Sequence, residues 1–254
     1  MLVDITVISF LFVVGLFIGM IAIIIGLKGP LPKKEYLNKC DHCNYKYKWY
    51  ELIPVFSFIL KKGRCSYCHR KSSFWYPFLE LVTGVLFSLS YVIYGFSYEM
   101  IIFIILAILT VMIFVSDFKY YIILDKPIWF FSIIVLILKF IFFGFETFIL
   151  SLCSGVLIFI FMVCIRYIAN MIFRRDSLGG GDIKLVTFFG FVVAIRLSIV
   201  SLALGSLLAF PYAIYYALLD KQKEIPFGPF LILGLYTVFL FMEPINTFIA
   251  IVFQ

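Results

Sequence analysis

The sequence predicts an all-α integral membrane protein of about eight transmembrane helices, with a small zinc-binding cytoplasmic loop domain between helices 1 and 2. Three observations carry this prediction. Of 254 residues, 64% are hydrophobic and only 14% charged, and the mean hydropathy is +1.13. A soluble domain is roughly 45–50% apolar, so lipid must solvate most of this chain. Apolar runs follow one another with short polar breaks, each near the ~20 residues that carry a helix across the hydrocarbon core. The one long polar segment holds four cysteines as two CxxC pairs.

Taken in order, the first apolar run covers 5–27. It lacks a basic n-region and a small-residue cleavage site, so it reads as a retained helix and not a signal peptide. Residues 1–27 form the first transmembrane helix, 28–73 the tetracysteine loop and 74–254 the membrane core. Spans within the core are expected at 74–95, 99–116, 122–143, 146–173, 183–195, 197–219 and 228–251. Arg196 interrupts an apolar stretch too long for one crossing and short for two. Merging the spans around it would put Arg174 and Arg175 on the opposite side from Lys221 and Lys223, so they are kept apart.

Charge sets the orientation. Eleven of the 21 Lys and Arg residues fall between Lys28 and Lys71, opposed there only by Glu35, Asp41 and Glu51. Basic loops remain on the cytoplasmic side and lie near anionic lipid, so the loop needs no nucleic acid to explain it. With the loop inside, Lys119, Lys126, Arg174, Arg175, Lys184, Lys221 and Lys223 also fall inside. Arg196 falls outside, as do both termini. A multi-pass membrane location with the loop on the cytoplasmic side follows.

Cys40-Asp-His-Cys43 and Cys65-Ser-Tyr-Cys68 are separated by 21 residues. Four thiolates at this spacing suit tetrahedral zinc, and binding would supply folding energy to a loop with no core of its own. Competing readings are two disulfides, disfavoured where thiols stay reduced; a C-x-x-C-H haem attachment at Cys65–His69, which leaves the first pair without a role; and free thiols. His42 and His69 are adjacent substitutes for a thiolate. Cys153 and Cys164 read as small apolar residues within a span.

Only 14 residues are acidic, and two stand at expected span ends. Asp117 closes the third span and Asp182 opens the sixth, after Gly179, Gly180 and Gly181. Ionisable groups at such depth are functional candidates. Two carboxyls brought close cannot both ionise easily, so they share a proton. That provides a base to activate water and an acid to protonate a leaving amine. The glycines permit positive φ and close approach of an extended substrate strand. The structural alternatives are an N-cap role for Asp182, pairing of Asp117 with Lys119, and a cap on the fourth span for Asp125, ahead of Pro127. Lys184 either binds lipid phosphate or balances the two acids, and Glu80 is expected to pair with a basic residue. No strand precedes the glycines and no P-loop Lys-Ser/Thr follows, so a nucleotide site is weakly signalled.

In combination these residues resemble the bacterial type IV prepilin peptidases, a family of GxGD-type membrane aspartyl proteases. The resemblance runs through the CxxC loop, Glu51-Leu-Ile-Pro54-Val-Phe-Ser57, Trp75-Tyr76-Pro77 through Glu80, and Asp117 with Asp125 eight residues on. It continues through Gly179-Gly-Gly-Asp182-Ile-Lys184 and Ile225-Pro226-Phe227-Gly228-Pro229-Phe230. It implies an eight-span enzyme with Asp117 and Asp182 as its aspartyl dyad. The implied activity is cytoplasmic-face cleavage of the basic leader of prepilins or pseudopilins, after a glycine. N-methylation of the new terminus from S-adenosylmethionine is implied to follow. Three blocks depart from the family pattern. Leu16-Phe17-Ile18-Gly19 stands for S-F-x-N, Lys28-Gly29-Pro30-Leu31-Pro32 for the R-x-P segment, and Ile123-Leu124-Asp125 for I-P-D. Two readings from other classes compete. One is an ion-coupled transporter, which would want acids near the bilayer midplane. The other is a non-catalytic assembly protein in which only the zinc loop matters.

Overall fold

The structure is a computed structural model that describes residues 2–29, 40, 43, 45–46, 48, 51, 53–174, 178–219 and 225–252. Asp41, His42, Arg175, Lys221, Lys223 and the 30–39 segment lie outside these residues. The elements of the described chain are helices, beside one isolated β-bridge between Arg64 and Lys71 in the loop: α1 (Leu2–Lys28), α2 (Phe56–Leu60), α3 (Trp75–Tyr94), α4 (Tyr98–Tyr120), α5 (Asp125–Phe173), α6 (Gly180–Leu219), α7 (Gly228–Leu240) and α8 (Met242–Val252). Five of these helices are long and apolar enough to cross a membrane. A sixth span is possible if α7 and α8, bent by 80° at their junction, count as one. The expected straight span over 228–251 is therefore broken near Phe241. The chain divides into two compact units, Met1–Tyr120 and Tyr121–Gln254.

In the first unit α1 packs on α3 through small residues. A Cβ on Gly15 would stand 2.8 Å from the Gly84 Cα, and one on Gly19 would stand 2.7 Å from the Thr83 hydroxyl. Between membrane helices such gaps let backbones approach, because apolar side chains gain little by leaving lipid. Two longer-range hydrogen bonds add register. The Ser88 hydroxyl donates to the Ile8 carbonyl (3.0 Å), and the Tyr120 hydroxyl to the Leu27 carbonyl (2.9 Å) at the end of α1. Helix α4 is the interior element, with two thirds of its apolar window buried; the corresponding windows of α1 and α3 are less than a third buried.

In the second unit α5 has 49 residues, which as a straight helix would extend about 73 Å against a hydrocarbon core of about 30 Å. It does not run straight. Gly144 has φ 83 and ψ −176, outside helical space. The Lys139 ammonium donates to the Ser151 hydroxyl at 2.8 Å, although twelve residues of straight helix would separate them by about 18 Å. The chain therefore doubles back at Gly144, as the polar break at 144–146 predicts. Ala194 interrupts α6 in the same way (φ 64, ψ 172), two residues before Arg196. With each half of α5 and α6 counted as a pass, the number of passes is the eight expected.

The halves pack through glycine. A Cβ on Gly190 would stand 2.6 Å from the Gly155 Cα, and one on Gly205 would stand 2.8 Å from the Leu231 Cα of α7. One on Gly234 would overlap the Ser201 carbonyl and the Gly205 backbone of α6. Gly234→Ala should therefore force α7 away from α6 and cost about 1–3 kcal/mol, read as a lower midpoint for thermal aggregation of the purified protein in detergent.

Candidate active site and metal centre

The four loop cysteines converge. Their sulfur atoms all lie within 4.8 Å of one another, with Cys40 3.8 Å from Cys68 and Cys43 3.8 Å from Cys65. Both of these contacts cross between the two CxxC turns. All six cysteines are free, so the described loop contains no disulfide. A tetrahedral ion with metal–sulfur bonds of about 2.3 Å sets its ligands about 3.8 Å apart, and these separations match that edge. The cluster could bind a metal ion.

The turns that present the sulfurs are built by the backbone. The Cys65 amide donates to the Arg70 carbonyl (2.9 Å), the His69 amide to the Cys65 carbonyl (3.1 Å) and the Cys40 amide to the Tyr45 carbonyl (2.9 Å). The rings of Tyr45 and Tyr67 stack at 5.8 Å, nearly parallel, and join the turns. Burial, reinforced by hydrogen bonding among the thiols, pushes Cys43 up to about 12. Cys43 therefore keeps its proton until a cation is present, since a coordinating thiol is deprotonated outright.

Glu51 holds the loop together. It is buried, and its carboxylate accepts from the Lys48 amide (2.7 Å) and the Ser66 hydroxyl, and pairs with Lys61 at 3.1 Å. Burial raises this carboxyl, but the Ser66, Lys48 and Lys61 contacts outweigh it and hold it below the ordinary carboxylate value. The stability it confers is thus complete above that value and is lost as pH falls through the depressed one. Sequence reasoning gave Glu51 no role of its own. Its signal was available, as one of only three acids in a strongly basic segment.

Glu80 corrects an expectation. Among the described residues its carboxylate takes no basic partner and instead accepts from the Val55 amide at 2.8 Å. Val55 has φ 58 and precedes α2, so α3 fixes a strained turn of the loop by a side chain one to two turns inside its own start.

Asp117 lies in the last turn of α4 and is buried, next to the fully buried Ser116. The helix runs on to Tyr120, past the span end expected at 116. Asp182 lies in the first turn of α6, as its third residue. It is therefore not the N-cap, which corrects the structural alternative considered for it. The glycines before it also differ from expectation, since none of the three has positive φ. Their contribution is space. A Cβ on Gly179 would stand 2.9 Å from the Asp182 Oδ2, and one on Gly181 would stand 2.8 Å from the Ile123 Cβ. Gly179 thus admits the carboxylate folded back over the helix start, and Gly181 admits the segment before α5.

Asp125 is the first residue of α5, with Leu124 in the N-cap position, so it does not cap this helix. It pairs with Lys184, one turn of helix or less past Asp182. That contact ties the start of α5 to the start of α6 and gives Lys184 a protein partner. Helix α6, like α4, is an interior helix with two thirds of its apolar window buried.

A helical, multi-pass membrane protein with a tetrathiol loop and acids at helix ends is the class these features define. Comparison with known proteins gives the family. Residues 5–94 match the bacterial peptidase A24 N-terminal domain, and residues 100–214 match the type IV leader peptidase family. The prepilin leader peptidase/N-methyltransferase of Bacillus subtilis is 28% identical over 245 residues, covering 94% of this chain and 96% of that protein. The enzyme of that name from Vibrio cholerae is 28% identical over 216 residues, 80% of each chain. The type 4 prepilin-like proteins leader peptide-processing enzyme of Escherichia coli H10407 is 31% identical over 210 residues, 80% of this chain and 75% of that one. No solved structure matches at a significant level. The chain belongs to the type IV leader peptidase family.

Glu51→Ala should leave the Lys48 amide, the Ser66 hydroxyl and Lys61 without their acceptor and cost the loop about 1–3 kcal/mol. The expected readout is faster loss of bound metal to a chelator at neutral pH, with the helices of the membrane core unchanged by circular dichroism.

Proposed function

We propose that the protein removes the short basic leader from type IV prepilin or pseudopilin precursors at the cytoplasmic face of the inner membrane, using Asp117 and Asp182 as a pair of acids. The family assignment is the observation that carries this, and the placement of the acids supports it. A helix N-terminus favours negative charge and a C-terminus disfavours it. Asp182, in the first turn of α6, is suited to hold the charge when one proton is shared, and Asp117, in the last turn of α4, to hold the proton. Asp182 then draws a proton from water as it attacks the scissile carbonyl, and Asp117 protonates the departing amine. No covalent intermediate is needed.

The supporting residues follow. Gly179 leaves room for the Asp182 carboxylate, Gly180 keeps the helix start open, Gly181 leaves room for Ile123, and the Asp125–Lys184 pair fixes the segment that carries the acid. We assign proteolysis to 74–254. We assign a structural role to 28–73, whose Cys40, Cys43, Cys65 and Cys68 hold zinc, the cation that suits four thiolates in a closed tetrahedral set. Glu80 couples that loop to the core. N-methylation of the new terminus, from S-adenosylmethionine, is the second activity that the names of the relatives suggest. The basic segment lies against anionic lipid, nucleic acid is not a partner, and both termini face outward.

Asp117→Asn and Asp182→Asn should each lower leader cleavage by about 10²–10⁴-fold while expression and membrane insertion persist, as followed by the mobility of a co-expressed prepilin. Cleavage that survives both substitutions would remove the proposed roles.

A further inference from the structure

The loop carries an exposed surface that hydrolysis does not use and that borders the metal centre at Cys65. Helix α2 has five residues, Phe-Ser-Phe-Ile-Leu. Three of them, Phe56, Ile59 and Leu60, are more than half exposed, although they belong to the polar part of the chain. The basic run Lys61, Lys62 and Arg64 follows directly, and with Leu60, Cys65, Ser66 and His69 it lines an open cleft of about 600 Å³, in which Lys61 is already paired with Glu51.

The depth of this surface is fixed by its contacts with α3. The Val55 amide, at the start of α2, is held by Glu80. Glu80 lies five residues into α3, about 7–8 Å along the axis from Trp75. Two residues past Phe56, the Phe58 ring meets that of Phe74 at 6.1 Å, and Phe74 in turn stacks with Phe78 at 6.3 Å. Helix α2 therefore climbs along the first turns of α3, from the level of Glu80 to that of Phe74. Trp75 and Phe74 are largely exposed, and aromatic residues of this kind mark the membrane–water interface. Phe56 then lies at acyl-chain level and Ile59 at the interface, with Lys62 and Arg64 at headgroup level.

Charge selects the occupant. A cationic leader peptide would be repelled by Lys62, Arg64 and the rest of the cleft, and a sulfonium methyl donor would gain nothing there. A phosphate on a lipid gains from both parts of the surface, since its headgroup meets the basic cleft and its chains meet α2. We infer that α2 is an interfacial anchor and that the Lys62–Arg64 cleft binds the headgroup of an anionic phospholipid. This goes beyond the peptidase assignment and does not depend on it.

The test uses the full chain with the photoreactive residue p-benzoylphenylalanine at Phe56 or Ile59, reconstituted in discs of phosphatidylglycerol or of phosphatidylcholine. Lipid adducts are read by mass spectrometry. Adducts should form at both positions, with higher yield in phosphatidylglycerol. Lys62→Gln and Arg64→Gln should each lower that preference by about fivefold, the factor that one basic residue near an anionic surface provides. Metal content near one ion per chain in each variant shows that the loop is still folded. Absence of lipid adducts at both positions overturns the inference, as does equal yield in the two lipids. A preference unchanged in the double variant also overturns it. Leader cleavage that persists in the double variant is expected, so failure here and failure of the peptidase assignment remain distinguishable.

Discussion

A peptide group in hydrocarbon must find its hydrogen-bond partner within the protein, and most of this structure follows from that constraint. The described chain is helix nearly everywhere that it is apolar, and inside those runs it leaves helical geometry at Gly144, Ala194 and Phe241. Several buried hydroxyls obey the same rule. Thr83, Ser132, Thr187 and Ser201 each donate to the carbonyl four residues back on their own helix. Chemistry is therefore pushed to helix ends, where backbone groups and charges can meet water. Asp117 and Asp182 both stand at such ends, and with opposite polarity of the helix dipole.

The loop solves a different problem. It has no apolar core to bury, and most of its described hydrogen bonds are local turns. A tetrathiol site and the buried Glu51 replace that core, the first by metal binding free energy and the second by three charge-assisted contacts. Glu80 then transfers this order to the membrane part, because its carboxylate fixes the turn at Val55. An acid in α3 joins the loop to the core beside the Phe58–Phe74 ring contact, at a position that sequence alone suggested would meet a lysine or arginine.

Hydropathy and spacing disclosed the helices, the breaks at 144–146 and 196, and the gathering of the four cysteines, because each rests on a strong local signal. Long apolar runs and paired CxxC motifs admit few alternatives. What the sequence did not disclose depends on rotamers and on contacts between elements. Gly179 to Gly181 were expected to supply unusual backbone angles and instead supply room for the Asp182 carboxylate and Ile123. Lys184 was read toward lipid or the acids, and its partner is Asp125. Gly19, where the related pattern has Asn, packs its bare Cα against Thr83 and the Glu80 backbone. Apart from Asp182, whose rotamer decides its contact with Gly179, none of these partners lies close in sequence, so periodicity could not find them.

The central claim is that two acids of this chain hydrolyse a leader peptide, and intact mass tests it most directly. Purified protein in bilayer discs, incubated with a prepilin, should release the leader without any added methyl donor. The product should gain one methyl group only when S-adenosylmethionine is supplied. A prepilin that stays at full mass with metal-replete, folded enzyme, across the range of pilin and pseudopilin substrates, would contradict the account.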